Sequence, residues 1–157
     1  MGNHPPSPFD VAFRLHAMGD LAGAEVWYRK ALHADAGNVE AMGWLGTLMA
    51  QRGQHEAARP LLSEALKLRG EHPEFLMNLA NVLQELSLFQ EAIIMYERAL
   101  LIKEDAVGLS NLGACQIEAK QPEQALVVLE RSIRLDSKGA RAWLNRCLLY
   151  TSPSPRD

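Results

Sequence analysis

One period dominates this chain. Ala24, Ala58, Ala92 and Ala125 are spaced by 34, 34 and 33 residues, and Ala31, Ala65, Ala99 and Ser132 keep the same spacing. So do Leu32, Leu66, Leu100 and Ile133. A further small-residue series runs Ala12, Gly46, Ala80 and Gly113, and a large-residue series runs Tyr28, Leu62, Tyr96 and Leu129. Self-similarity at such a period marks a chain built by stacking one small unit on the next. A unit of that size cannot bury its own apolar face, so its neighbours must do so.

Within each unit the apolar spacing is helical. Leu76, Leu79, Leu83 and Leu86 follow one stripe. After a turn at Ser87-Leu88, Ala92, Ile93, Tyr96, Ala99 and Leu100 follow another. Gly19-Asp20 and Gly53-Gln54 mark the equivalent turns, while Pro73 and Pro122 suit first helical positions. The pattern predicts antiparallel helix pairs over 8–34, 39–68, 73–102 and 107–135, a ninth helix after Gly139, and no strand. Small residues at the Gly46 and Ala58 offsets let paired helices approach, and the large residue at the Tyr96 offset fills the space between units. Pro60, inside a second helix, removes a hydrogen bond and predicts a slight bend. Gly108 weakens the start of its helix by about 1 kcal/mol relative to alanine.

These residues resemble the tetratricopeptide (TPR) repeat family, through Leu45-Gly46, Gly53, Ala58 and Ala65 and their equivalents from about Pro5 to Arg146. The resemblance implies an all-α fold, a right-handed solenoid of antiparallel helix pairs. Residues 1–7 are read as an N-terminal extension and 8–146 as the repeat domain. Units fall at 5–38, 39–72, 73–105 and 106–139, with a partial fifth from 140. The family's proline near each unit's end is replaced by Ala36, Gly70, Glu104 and Ser137, and its early tryptophan occurs only as Trp143.

Composition bounds the function. The chain has 157 residues, 48% hydrophobic, with a net charge of −3, which lacks the basic footprint of a nucleic-acid binder. Two cysteines argue against a disulfide framework and for a reducing compartment. The opening Met1-Gly2-Asn3-His4-Pro5-Pro6 has neither the basic region nor the apolar run of a signal peptide, and no stretch approaches the ~18 apolar residues of a membrane span. The expected setting is cytoplasmic, with no membrane and no nucleic acid.

Chemistry is sparse. His4, His16, His33, His55 and His72 offer no pair at ligand spacing and read as solvated positions, so no metal is expected. Cys115 follows Gly113 on the packed side of a helix, as a small buried hydrophobe rather than a nucleophile. Gly43-Trp44-Leu45-Gly46 lies within a helix and lacks the following lysine of a phosphate loop. Glu56, Glu91 and Glu123 sit at helix starts, where the dipole favours them. Tyr28 reads as core and Trp27 as partly buried. No enzyme and no cofactor is indicated.

The candidate site is the inner surface. In the TPR family the first helix of every unit lines a concave groove. The resemblance points inward Phe9, Asp10 and Phe13; Gly43, Trp44 and Thr47; Met77, Asn78 and Asn81; Ser110, Asn111 and Ala114; then Arg141 and Asn145. Phe9, Phe13, Trp44 and Met77 make an apolar patch. Asn78, Asn111 and Asn145 share one offset and form a ladder, similar to those in the TPR region of O-linked N-acetylglucosamine transferases, which hold an extended peptide backbone. A side-chain amide suits that task, and the competing reading is a row of solvated asparagines. Asn81, Asn111 and Arg141 echo the carboxylate clamp of chaperone-tail-binding relatives, but Met77 stands where that clamp needs lysine.

The expected function is a protein–protein interaction scaffold binding a peptide or partner protein in that groove. The alternative is the substrate-recruiting front end of a larger glycosyl-, sulfo- or methyltransferase, because Asn81 to Leu86 with Tyr96 to Leu100 resembles repeats of such proteins. The ninth helix, with Trp143 and Leu144 and no second helix to pair with, predicts self-association. The final Cys147 to Asp157 matches the in-frame translation of a transposon-based sequencing adapter and is read as non-native, making the sequence a fragment cut after Arg146. A Ser/Pro tail with proline-directed phosphorylation sites is the other reading.

Overall fold

The computed structural model describes residues 5–151. It holds, among those residues, nine α-helices and no strand: α1 (Pro8–Ala17), α2 (Leu21–Ala34), α3 (Val39–Gln51), α4 (His55–Arg69), α5 (Pro73–Glu85), α6 (Phe89–Ile102), α7 (Ala106–Glu118), α8 (Pro122–Leu135) and α9 (Ala140–Thr151). The expected helices all form within a residue or two of their expected bounds. Pairs α1–α2, α3–α4, α5–α6 and α7–α8 pack as hairpins and stack in chain order, giving the right-handed solenoid. Odd-numbered helices touch one another along one side, α1 on α3, α3 on α5, α5 on α7 and α7 on α9. That row is the inner wall.

Each hairpin turn has the same construction. Gly19, Gly53, Ser87 and Lys120 occupy the left-handed region, at φ 82°, 72°, 59° and 63°. In the first turn Gly19 N–H reaches the His16 carbonyl and Asp20 N–H the Leu15 carbonyl, and the other three repeat this pair of bonds. The motif satisfies carbonyls that a helix end otherwise leaves orphaned. Between units, polar side chains start the next helix. Asn38 accepts from Ala41 N–H at 2.9 Å and Asp105 from Gly108 N–H at 2.8 Å, while Ser7 and Asp10 form a reciprocal capping box. The Ser7 bonds hold the Asp10 carboxyl below the usual range.

The periodic residues are the core. Ala24, Ala58, Ala92 and Ala125 are completely buried, as are Tyr28, Leu62, Tyr96 and Leu129. Two kinds of unit alternate. Where the large residue is leucine, the small residue of the facing helix is glycine (Gly46 with Leu62, Gly113 with Leu129); where it is tyrosine, the small residue is alanine (Ala12, Ala80). A Cβ at Gly46 would lie 2.8 Å from Leu62 Cγ, and one at Gly113 2.6 Å from Leu129 Cγ. A branched leucine seated on the opposing backbone leaves no room for a methyl.

Gly108 sits in the first turn of α7, buried where a Cβ would meet Met77 Cε at 2.7 Å, so its propensity cost accompanies a close approach of α7 to α5 and α6. Helix α4 runs on through Pro60. Helix α9 continues to Thr151, so the first part of the eleven-residue string from Cys147 is helical; residues 152–157 lie outside the described residues, as do residues 1–4 with His4. No helix among the described residues is long and apolar enough to cross a membrane.

Candidate functional site

Three of the expected inner-wall residues gather on the N-terminal units. Phe9 stacks on Phe13 (centroids 6.0 Å apart), Phe13 meets the edge of Trp44 at 5.2 Å, and Trp44 meets Phe75 at 5.7 Å. Such edge-to-face pairs contribute beyond simple burial. Trp44 therefore has both a packing role and an open flank. Phe75, absent from the sequence reading, is fully buried and occupies the space above Gly43, where a Cβ would lie 2.2 Å from its ring. Gly43 is thus groove floor beneath an aromatic ring, not an exposed lining residue. Thr47 and Ser110 are buried too, at 4% and 3% exposure, which removes them from the accessible surface.

Two clefts open on this wall and meet at α5. The first, of about 390 Å³, lies beside Trp44, Gln51, Pro73, Met77 and Asn78, with Lys103 and Asp105 at its edge. The second, of about 450 Å³, is polar and lies between α5, α7 and α9, beside Asn81, Gln84, Tyr96, Asn111, Arg141 and Asn145. Phe9 and Phe13 line neither cleft but continue the aromatic row from the first. Met77 is half-buried, packed against the core with its methyl over Gly108.

The asparagines stitch neighbouring units together. Asn78 donates through Nδ2 to Thr47 Oγ1 (3.0 Å), and Thr47 in turn donates to the Gly43 carbonyl (3.0 Å). Arg141 donates to Asn111 Oδ1 (2.9 Å), and Asn145 Nδ2 donates to the Ser110 carbonyl (3.4 Å). Asn78 lines the first cleft and Asn111 and Asn145 the second, and each amide spends one bond on the adjacent unit. An amide carries two donors and two acceptor lone pairs, so capacity remains.

Tyrosines of the first and third units anchor relays that the sequence reading missed. Tyr28 hydroxyl and His16 Nδ1 are 3.2 Å apart, and His16 Nε2 and Gln51 Oε1 are 2.9 Å apart. The third unit repeats this: Tyr96 hydroxyl lies 2.8 Å from Gln84 Oε1, and Gln84 Nε2 donates to Glu118 at 2.6 Å. The signal was present, because His16 and Gln84 stand 68 residues apart (84 − 16), as Tyr28 and Tyr96 do (96 − 28). Burial pushes Tyr28 up to about 12 and raises Tyr96 further, so both hydroxyls stay protonated.

Not every histidine is solvated. Besides His16, His72 caps α5, accepting from Phe75 N–H at 3.4 Å and stacking on its ring at 4.1 Å. Burial, then Arg69, lowers its pKa. His55 buries Nδ1 with no partner among the described residues. Cys115 is fully buried, its Sγ 3.7 Å from the Phe89 carbonyl, and burial pushes the thiol up to about 11, the opposite of nucleophile activation. Trp27 is half-buried with Lys30 Nζ 4.1 Å from its ring centre. Among the described residues, no group of three or more His, Cys, Asp or Glu is placed to hold a metal ion.

Stacked helix hairpins, buried small–large pairs and an open inner wall define a tetratricopeptide-type solenoid, an architecture for protein interaction. Residues 17–99 match the profile of one such family, and the chain belongs to it: anaphase-promoting complex, cyclosome, subunit 3. The chain is also similar to the type IV pilus assembly protein PilF of Pseudomonas aeruginosa, 27% identical over 124 residues, covering 75% of this chain. It spans about half, 48%, of the length of that relative. Among solved structures it superposes on MamA with a TM-score of 0.82 at 25% identity, covering 91% of this chain and 79% of the other. It superposes on YrrB, described as a TPR protein with an unusual peptide-binding site, with a TM-score of 0.83 at 23% identity, covering 91% and 74%.

Proposed function

We propose that this chain holds an extended segment of a partner protein along the inner wall, with an apolar side chain against Trp44 and Met77 and the peptide backbone beside Asn78, Asn81, Asn111 and Asn145. One observation carries the reading: the apolar and polar clefts are neighbours on a single helix, α5, whose Met77 and Asn78 face one while Asn81 faces the other. Phe9 and Phe13 extend the apolar end. Burying one aliphatic or aromatic side chain contributes about 2 kcal/mol. Each net amide–backbone hydrogen bond contributes about 1 kcal/mol. After association costs the sum points to roughly micromolar affinity. That YrrB is described as having a peptide-binding site supports the reading.

Two further elements belong to it. Trp143 and Leu144 on α9 are 40% and 61% exposed, which supports self-association through that helix. The low cysteine content supports a cytoplasmic location.

Titration of a peptide library against wild type, Trp44→Ala and Asn78→Ala with Asn111→Ala tests the groove. Helical content by circular dichroism is checked in parallel, since both asparagines also join units. Weaker binding in both variants is expected. A peptide that binds all three proteins equally docks elsewhere.

A further inference from the structure

We infer that the segment held in the groove is basic, with a lysine or arginine in the polar cleft two or three residues from the apolar anchor. The inference rests on the groove reading above and adds the chemistry of the partner.

Tyr96 faces more acceptors than its one proton can serve. Its buried hydroxyl lies 2.6 Å from Asn81 Oδ1 and 2.8 Å from Gln84 Oε1, two acceptors facing one proton. Gln84 cannot turn its amide to resolve this, because its Nε2 already donates to the Glu118 carboxylate, which only accepts. The hydroxyl proton therefore belongs to Gln84. Asn81 either leaves its oxygen short of a donor or rotates its amide so that Nδ2 meets the Tyr96 oxygen and Oδ1 turns away. In both orientations, among the described residues, no other donor is bonded to that amide oxygen at the wall of the cleft.

Charge points the same way, independently. Glu85 and Glu118 line the polar cleft, and Glu74 and Asp105, with Lys103, line the apolar one. Among the described residues none of the four acidic side chains belongs to an ion pair, whereas Glu25, Glu40, Glu64, Glu71, Glu91 and Glu104 are paired with arginine or lysine. Among the described residues the one cation lining the polar cleft, Arg141, is bonded to Asn111. The cleft thus holds an amide oxygen that Tyr96 does not serve, and two negative charges against one positive. An ammonium or guanidinium supplies several donors and the missing charge, whereas a peptide carboxylate supplies neither.

Geometry sets the register. The two clefts sit on successive sides of α5, and packed helix axes are about 8–10 Å apart. An extended chain covers that in two to three residues at ~3.3 Å each.

The test uses fluorescein-labelled decapeptides with blocked ends and a central leucine, in which each other position carries lysine, glutamine or glutamate. Wild type should favour lysine over glutamate about tenfold at one position two or three residues from the leucine, with the preference shrinking in 0.5 M salt. Glu85→Gln with Glu118→Gln, both exposed positions, should bring that preference within about twofold and leave the contribution of the leucine intact. Equal binding of lysine and glutamate peptides, or a preference that survives the double change, overturns the inference. Trp44→Ala is measured on the same peptides. If it alone weakens binding, the groove reading stands while the basic-segment inference falls. If nothing binds, or all variants bind alike, both fall.

Discussion

Adding one methyl at Gly113 should destabilise the solenoid, although the same change in an ordinary helix would help. Replacing a mid-helix glycine by alanine gains about 1 kcal/mol of helix propensity. Here the new Cβ would sit 2.6 Å from both Cγ and Cδ2 of Leu129. Unstrained carbon contacts lie near 3.5–4.0 Å, so the overlap is about 1 Å. The opposing atom is a branch point of a completely buried residue, not the free end of a flexible chain. Overpacking of this kind costs about 1–3 kcal/mol. Gly113→Ala should therefore lose about 1 kcal/mol net. Leu129→Ala should lose about 3 kcal/mol as a cavity opens. Combining the two places the new methyl where the leucine was, so the double variant should be more stable than the sum of the singles by about 2 kcal/mol. Urea unfolding of the four proteins, followed by circular dichroism, measures the cycle. Ala80→Gly, at the same offset in a tyrosine unit, should instead lose about 1 kcal/mol. A Gly113→Ala protein that gains stability, or a cycle additive within about 0.5 kcal/mol, would refute the proposed leucine-on-glycine contact.

Other outcomes follow from the same structure. Ser87→Gly and Lys120→Gly should each stabilise by about 0.5 kcal/mol, because both residues hold positive φ, while Gly19→Ala and Gly53→Ala should each cost about 1 kcal/mol; thermal melts report the signs. Above neutrality stability should be flat up to about pH 9 and fall beyond it. The buried Cys115 thiol and Tyr28 phenol have raised folded pKa values, about 11 and 12, so their contribution is complete below the unfolded values of roughly 8.5 and 10 and is lost as pH rises through the folded ones. Cys115→Ala should move the onset of that fall upward in a pH series of melting temperatures, and a decline already present between pH 7 and 8 would contradict this. Sedimentation should show concentration-dependent association that Leu144→Glu suppresses; a strictly monomeric wild type at high concentration rules it out.

The architecture was legible in the linear chain because every unit repeats the same local problem. A 34-residue period, helical apolar spacing and punctuating glycines and prolines determine two helices per unit, and one unit's apolar face obliges the next to stack. Even the alternation of leucine–glycine with tyrosine–alanine units is written there. What the tertiary structure decided was how side chains from different units share space. Asn78 reads as an outward amide until Thr47, 31 residues away, comes within 3.0 Å. Gly43 reads as groove lining until Phe75 covers it. His16 reads as solvated until Tyr28 and Gln51 close on either side of it. The offset pattern assigns each residue a face of its own helix. Hydrogen bonds and aromatic contacts between units depend on the crossing of two helices to within an ångström, and no periodicity in one strand of sequence contains that distance.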